Sequence, residues 1–264
     1  MKYRLLCIDI DGTLLSDDKK IAPEDAEALR KASSQGIQIA FLTGRMPAAM
    51  EGIVRQLGIP CILACDAGTY IIKDDRCIHA EYLSPETMRE IYQSIEVFQI
   101  PLWIFREKKW YVTAKDFYVK AEEELIGHTA DTVSVEGLAD KWDRAGTGPS
   151  KLLIGADPTT VQKVYATLRK RQDVDMACSS ENYLEIFPKG MNKGRALKLI
   201  CEKESIPVEE TVAFGDQELD VPMLEAAGIA IAMGNAIPVL KEKADYITKS
   251  NNEAGIAYAI RYLL

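Results

Sequence analysis

The chain has 264 residues and a formal charge of -8, from 40 acidic against 32 basic side chains, and 47% of it is hydrophobic. That length gives a prior of about two compact units, the apolar share excludes a chain dominated by disorder, and the negative field argues against nucleic acid or anionic lipid as a partner. No apolar run approaches the length of a membrane span, and Leu5-Leu6-Cys7-Ile8 is cut short by Asp9, so the expectation is a cytoplasmic protein without a membrane partner. The six cysteines, Cys7, Cys61, Cys65, Cys77, Cys178 and Cys201, show no paired C-x-x-C spacing. They read as small core residues in a reducing compartment.

In chain order, Arg4 to Ile8 suits a buried strand of a parallel sheet, stopping at an acidic turn. Pro23 opens a helical pattern closed by Gly36, and Ile37 to Leu42 form a second buried strand ending at Thr43-Gly44-Arg45. Pro47 to Leu57 reads as a helix and Cys61 to Ala64 as a third strand, followed by hairpin arms around Asp74-Asp75. The rhythm then changes. Ser84-Pro85 caps a helix to about Gln99, a second hairpin spans Leu102 to Thr113, and a helix runs from about Lys115 to Gly127. After a break at Gly146 to Pro149 come a strand from Lys151, a helix opened by Asp157-Pro158, and strands around Asp175 to Cys178 and Tyr183 to Phe187. From Asn192 the parallel rhythm returns, with strands at Thr211 to Phe214 and Ile229 to Ala232 and a last helix from Glu253. The expected class is α/β: a Rossmann-like parallel-sheet core over 1–81 and 189–264, interrupted by an inserted α+β domain at roughly 82–188.

The chemistry collects where strands end. In Asp9-Ile10-Asp11-Gly12-Thr13-Leu14, residues two apart on an extended chain point to one side, so Asp9 and Asp11 are expected to present neighbouring carboxylates. A divalent ion would justify that repulsion, and magnesium favours oxygen ligands shared with substrate phosphate. Read alone, the tetrapeptide is equally a solvated turn; a calcium loop is disfavoured because Leu14 and Leu15 interrupt it. Thr43-Gly44-Arg45 offers a hydroxyl and amides to a phosphate, or is an ordinary turn. Lys193 begins a helix, where ammonium and helix end both favour an anion, though most lysines are simply solvated. Gly215-Asp216-Gln217-Glu218-Leu219-Asp220 places two more carboxylates after a strand, with an acidic helix cap as the bland alternative. The order of the segments decides: all fall at carboxyl ends of expected parallel strands or at a helix start, where open α/β sheets bind ligands.

Taken together, Asp9 to Leu15, Leu42 to Arg45, Lys193-Gly194, Gly215 to Met223, Ala232 to Ala236 and Ala244 to Thr248 resemble the haloacid dehalogenase superfamily, specifically its Cof-type phosphatases with a large cap inserted after the third strand. The resemblance spans essentially the whole chain, the insertion being matched by arrangement more than by residues. It implies that Asp9 attacks phosphorus, that Asp11 protonates the leaving oxygen and then activates water, and that an aspartyl-phosphate lies between. It further implies magnesium held by the Asp9 and Asp216 carboxylates and the Asp11 carbonyl, with Asp220 in support, and phosphate held by Thr43, Lys193 and the amides of Ile10 and Gly44. The expected substrate is a small phosphorylated metabolite such as a sugar phosphate, selected by the cap. A sugar phosphomutase, and a low-activity protein that binds phosphorylated metabolites, are the alternatives. Two positions depart from the family pattern: Leu219 stands where Asn is usual, and Asp66 where Asn commonly ends the third strand. Within the insertion, Trp103, Arg106, Trp110 and Tyr111 read as packing before they read as ligand contacts, and His128 as a surface residue. The sequence leaves the oligomeric state open between monomer and dimer.

Overall fold

The computed structural model describes residues 2–263. They divide into two compact units: one comprises the chain up to Gly44, Glu51–His79 and the chain from Asn192, the other Arg45–Met50 and Ala80–Met191. In chain order the first elements are β1 (Leu5–Ile8), α1 (Pro23–Ser34), β2 (Gln38–Leu42), α2 (Pro47–Leu57, counted with the first unit from Glu51 on), β3 (Ile62–Cys65), β4 (Tyr70–Lys73) and β5 (Arg76–Ala80). Every residue of β1 is fully buried, as a strand covered on both faces of a parallel sheet requires. Pro23 at the first position of α1, with Glu24 and Asp25 in the first turn, gives that helix its start. Between β4 and β5, Asp74 and Asp75 both take positive φ, 50° and 58°, the conformation of a tight hairpin turn.

The second unit carries α3 (Pro85–Ile95), β6 (Trp103–Arg106), β7 (Lys109–Val112), α4 (Phe117–Ile126), β8 (Asp131–Thr132), α5 (Val135–Ala145), β9 (Lys151–Gly155), α6 (Pro158–Leu168), β10 (Val174–Ser180) and β11 (Tyr183–Pro188). Its sheet runs β10-β11-β9-β6-β7-β8, antiparallel but for the last pair. Strand alternation sends Ile104, Leu152 and Ile186 to one face, in a cluster with Ile91 of α3, Trp142 of α5 and Val164 of α6. Trp103, Phe105, Trp110 and Leu153 cluster with Val119 of α4 instead. Trp103 and Trp110 are buried with ring centroids 5.2 Å apart, so these aromatics pack, as expected. Tyr111 meets Trp142 edge-on, and Arg106 lies over the Tyr82 ring at 4.7 Å. His128 is partly exposed. Over 128–145, where the sequence pattern predicts no element, the structure has β8 and α5. Ser134 caps α5 by accepting from Gly137 N at 3.1 Å, and Val135, Leu138, Ala139 and Trp142 form its buried stripe.

The chain then returns to the first unit with α7 (Lys193–Glu204), β12 (Thr211–Gly215), α8 (Val221–Ala226), β13 (Ile229–Ala232), α9 (Pro238–Lys243), β14 (Tyr246–Ile247) and α10 (Gly255–Leu263). The order of this sheet is β14-β13-β12-β1-β2-β3-β4-β5, parallel from β14 to β3, with β4 antiparallel to β3. From the central β1 the chain proceeds outward through β2 and β3, and later outward through β12 and β13 on the other side. The strand order reverses between β1 and β12, which makes the crevice beyond their carboxyl ends the place for a ligand. The fold class is the expected one, α/β with a Rossmann-like parallel core and a second, α+β unit. The cysteines divide: Cys7, Cys65 and Cys201 are buried and Cys61 partly so, but Cys77 and Cys178 are exposed, against the expectation that all are core residues. Both exposed ones lie on strands of hairpins, where side chains alternate between core and solvent. No helix among the described residues is long and apolar enough to cross a membrane.

Candidate active site

Asp9 follows β1 directly, and its backbone N–H donates to Phe214 O of β12 at 3.1 Å. The register pairs Ile8 with Phe214 on one side and with Phe41 on the other. Asp9, Asp216 and Thr43 therefore emerge at the same edge of the sheet from adjacent strands. Lys193 reaches that edge from the first residue of α7, whose N-cap Asn192 accepts from Arg195 N at 3.0 Å. Lys193 Nζ donates to Asp9 Oδ1 at 2.5 Å and also to Asp220 Oδ1. All three side chains are buried, at 5%, 8% and 1% exposure for Lys193, Asp9 and Asp220.

Asp220 also organises the loop after β12. Its Oδ2 accepts from the backbone amides of Asp216 at 2.9 Å and Gln217 at 3.0 Å. Gly215 permits this fold-back, because a Cβ there would stand 2.5 Å from Asp220 Cβ. Asp216 is held at both oxygens: Oδ1 accepts from Thr13 Oγ1 at 3.0 Å and Oδ2 from Gln217 Nε2 at 3.1 Å. Gly12 carries φ of +83°, and a Cβ on it would lie 2.3 Å from Asp216 Oδ2. Only glycine satisfies both conditions.

The electrostatics are unbalanced. Among the described residues, Asp9, Asp216 and Asp220 form one group whose ligand oxygens all lie within 4.8 Å of one another, and Lys193 is the cation bonded to two of them. Burial, then the charge of Asp220, pushes the Asp9 carboxyl well above the usual range despite Lys193. Burial and Asp220 likewise push Asp216 up to about 6, against the hydrogen bonds from Thr13 and Gln217. Burial opposes the charge on Lys193, but Asp220 and Asp9 more than offset it and raise the ammonium above its ordinary value. Fully ionised, three carboxylates facing one ammonium carry a surplus of about two negative charges, which a divalent cation would cancel. The donors are all carboxylate oxygens, the chemistry hard cations prefer.

The Asp11 carboxylate is not part of this group. Because β1 ends at Ile8, the strand alternation that would align Asp11 with Asp9 does not continue. Asp11 is 42% exposed and its Oδ1 receives Lys19 Nζ at 2.9 Å. Its loop is tied down by amide side chains: Asn235 Nδ2 donates to Gly12 O at 2.8 Å, Asn251 Nδ2 to Leu15 O at 3.0 Å, and Asn252 Nδ2 to Asp17 Oδ2 at 2.9 Å. Thr43 is buried, with its N–H on Ala64 O at 2.9 Å and its carbonyl accepting from Ala67 N at 2.8 Å; Gly44 follows it. Ile10 is fully buried. Asp66 sits fully buried in a 3-10 turn after β3 with φ of 49°, a left-handed conformation that Asp tolerates. The structure thus brings Asp9, Lys193, Asp216 and Asp220 together and pairs the Asp11 carboxylate with Lys19. Sequence reasoning assigned nothing to Thr13, Gln217, Lys19 or the three asparagines. Thr13, Gln217 and Asn235 carried a signal in lying inside the segments that resemble the family, and Lys19, Asn251 and Asn252 carried none.

The haloacid dehalogenase-like hydrolase family matches residues 6–260. The chain belongs to this family. As a haloacid dehalogenase-like hydrolase it falls in the phosphatase branch, with similar proteins along its full length. It is 29% identical over 272 residues to the stress response protein YhaX of Bacillus subtilis, covering 99% of this chain and 93% of that one. It is 30% identical over 284 residues to the 5-amino-6-(5-phospho-D-ribitylamino)uracil phosphatase YwtE of the same organism, covering 99% and 98%. A crystal structure of a haloacid dehalogenase-like hydrolase from Bacteroides thetaiotaomicron superposes with a TM-score of 0.89 at 26% identity, covering 99% of this chain and 100% of that one.

Proposed function

We propose that this hydrolase is a magnesium-dependent phosphatase of small phosphomonoesters, sugar phosphates or similar metabolites, acting through an aspartyl-phosphate on Asp9. The observation that carries the reading is the buried contact of Asp9 with Lys193 and Asp220 at the switch point of a parallel sheet. Asp9, Asp216 and the Asp11 carbonyl would hold magnesium, with Asp220 in support; when bound, the ion supplies positive charge that offsets the facing carboxylates and the substrate's phosphate. Lys193 holds Asp9 Oδ1, which leaves the second oxygen to attack. That oxygen forms a bond to phosphorus as the ester P–O bond breaks, and the departing oxygen takes a proton from the Asp11 carboxyl. Asp11, now ionised, takes a proton from water; the water oxygen bonds to phosphorus, the Asp9–phosphorus bond breaks, and inorganic phosphate leaves. Lys193, Thr43 and the amides of Ile10 and Gly44 would face the transferring oxygens, in the arrangement that electrostatic stabilisation of phosphoryl transfer needs. The exposure of Asp11 suits a group that exchanges protons with solvent and leaving group. The inserted unit would select the substrate. YwtE, by its name a phosphatase of a ribityl phosphate, supports the substrate class.

The test is phosphate release from a panel of phosphorylated sugars, nucleotides and cofactors, with magnesium and with excess chelator. Turnover in magnesium only, abolished by Asp9→Asn, is the expected result. A folded protein inert on the whole panel, or an Asp9→Asn variant as active as its parent, overturns the reading.

A further inference from the structure

We infer that Gln217 is a positioning residue that fixes the orientation of the Asp216 carboxylate for the metal ion, an inference that rests on the metal-binding reading of Asp9 and Asp216. Asp216 is anchored from two directions. Thr13 Oγ1 holds Oδ1 from the loop after β1, and Gln217 Nε2 holds Oδ2 from the next residue of its own loop. A carboxylate accepts and does not donate, so the amide nitrogen is the end of Gln217 that must face it. With one anchor the carboxylate is free to turn about its Cβ–Cγ bond; with two, the plane of the group is set. That is the task of the outer partners of a metal ligand.

The loop has no other side chain for this work. Between Gly215 and Asp220, Gln217 is the one residue with a carboxamide, because Leu219 stands where the family pattern has Asn. Asp220 spends Oδ2 on the backbone amides of Asp216 and Gln217 and Oδ1 on Lys193. Gly12 brings no side chain of its own to Asp216 Oδ2, where a Cβ at position 12 would fall 2.3 Å away. The Gln217 amide therefore controls the oxygen that the glycine leaves open. Gln217 is itself exposed, so a buried packing role does not account for it.

The competing explanation is that Gln217 merely caps the 3-10 turn Glu218–Asp220, its side chain accepting from the Asp220 backbone N–H in a capping box. Gln217→Asn separates the two. Asn is a good residue at such a start, keeps the backbone amide that binds Asp220, and, one methylene shorter, draws its own amide back from Asp216. Gln217→Met keeps the length and removes the donor. Magnesium binding to metal-free full-length protein is measured by calorimetry, with melting temperature in chelator recorded alongside. Both variants are expected to melt with the parent and to bind magnesium roughly 10-fold more weakly. Parent-like magnesium affinity in both overturns the inference while leaving the metal site intact, and so does a weakening matched by a fall in the chelated melting temperature. A parent protein that binds no magnesium removes the metal reading itself, and the inference with it.

Discussion

Replacing Lys193 by Met puts the charge balance of the site under direct strain. The ammonium is 5% exposed and bonds Asp9 and Asp220, themselves 8% and 1% exposed. Removing one partner of a buried ion pair costs about 3–5 kcal/mol, because the charges left behind have neither partner nor water. The carboxylates can escape by taking up protons, which gives the loss a pH dependence. Asp9 stands well above the ordinary carboxyl range and Asp216 at about 6, both through burial first. An acid raised on folding binds protons more tightly in the native chain, so its favourable contribution is present at low pH and lost as pH rises through the folded value. Lys193→Met raises these acids further. Its deficit should therefore be largest at pH 8 and shrink toward pH 5, in urea unfolding with chelator present. Magnesium should stabilise the variant more than the parent, since the ion becomes the only cation in the cluster and binding to the native state alone adds to stability. Turnover should fall by about 10²–10³-fold, the cost of removing one donor to a transferring oxygen. A variant as stable as the parent at pH 8 in chelator, or one whose deficit is the same at pH 5, would refute the reasoning.

Gly12→Ala should weaken magnesium binding at least about 10-fold, because its methyl would displace Asp216; a magnesium titration of the melting temperature reads this, and an unchanged midpoint contradicts it. Asp25 is fully buried in α1, accepts from Ala257 N of α10 at 2.7 Å, and is pushed by burial up to about 6. Its effect on stability is favourable at low pH and is lost between roughly pH 4 and 7; relative to Asp25→Asn, the parent should lose on the order of 3 kcal/mol over that window in urea unfolding. A difference that stays flat across the window contradicts this. Chelation should lower the melting temperature of the parent, because an ion bound to the native state alone adds to stability, and raising pH from 6 to 8 in chelator should lower it further, because the raised carboxyls Asp9 and Asp216 then give up protons. A melting temperature that rises with pH over that interval would contradict the assignment of raised carboxyls.

What the sequence reveals depends on whether a feature is written in period and punctuation. The strand β1 is an unbroken apolar run, β2 and β12 are apolar after their first residues Gln38 and Thr211, and each ends at a glycine-bearing turn, so the parallel core and the address of Asp9, Thr43 and Asp216 are visible before any coordinates. Lys193 follows a capping Asn192, which marks a helix start on its own. The relation of Asp9 to Asp11 was legible only up to Ile8. There the strand stops, the alternation rule stops with it, and Lys19 claims Asp11 through a loop contact that no spacing encodes. Gln217 and the asparagines act through rotamers on loops, where the same residue types serve ordinary turns. The helix α5 had its cap and its apolar stripe in the sequence; Gly137 in its first turn and the short β8 before it interrupt the pattern enough to hide it. Cys77 and Cys178 show the limit of composition, since a small apolar residue on a half-exposed strand can face either way.

The central claim is the covalent role of Asp9. Enzyme mixed with a turned-over substrate, quenched in acid within one turnover, digested and weighed should yield a peptide containing Asp9 heavier by one phosphoryl group. The adduct should be cleaved by hydroxylamine and absent from Asp9→Asn. Phosphate released at full rate with no adduct on that peptide, or an adduct on a different residue, would contradict the account.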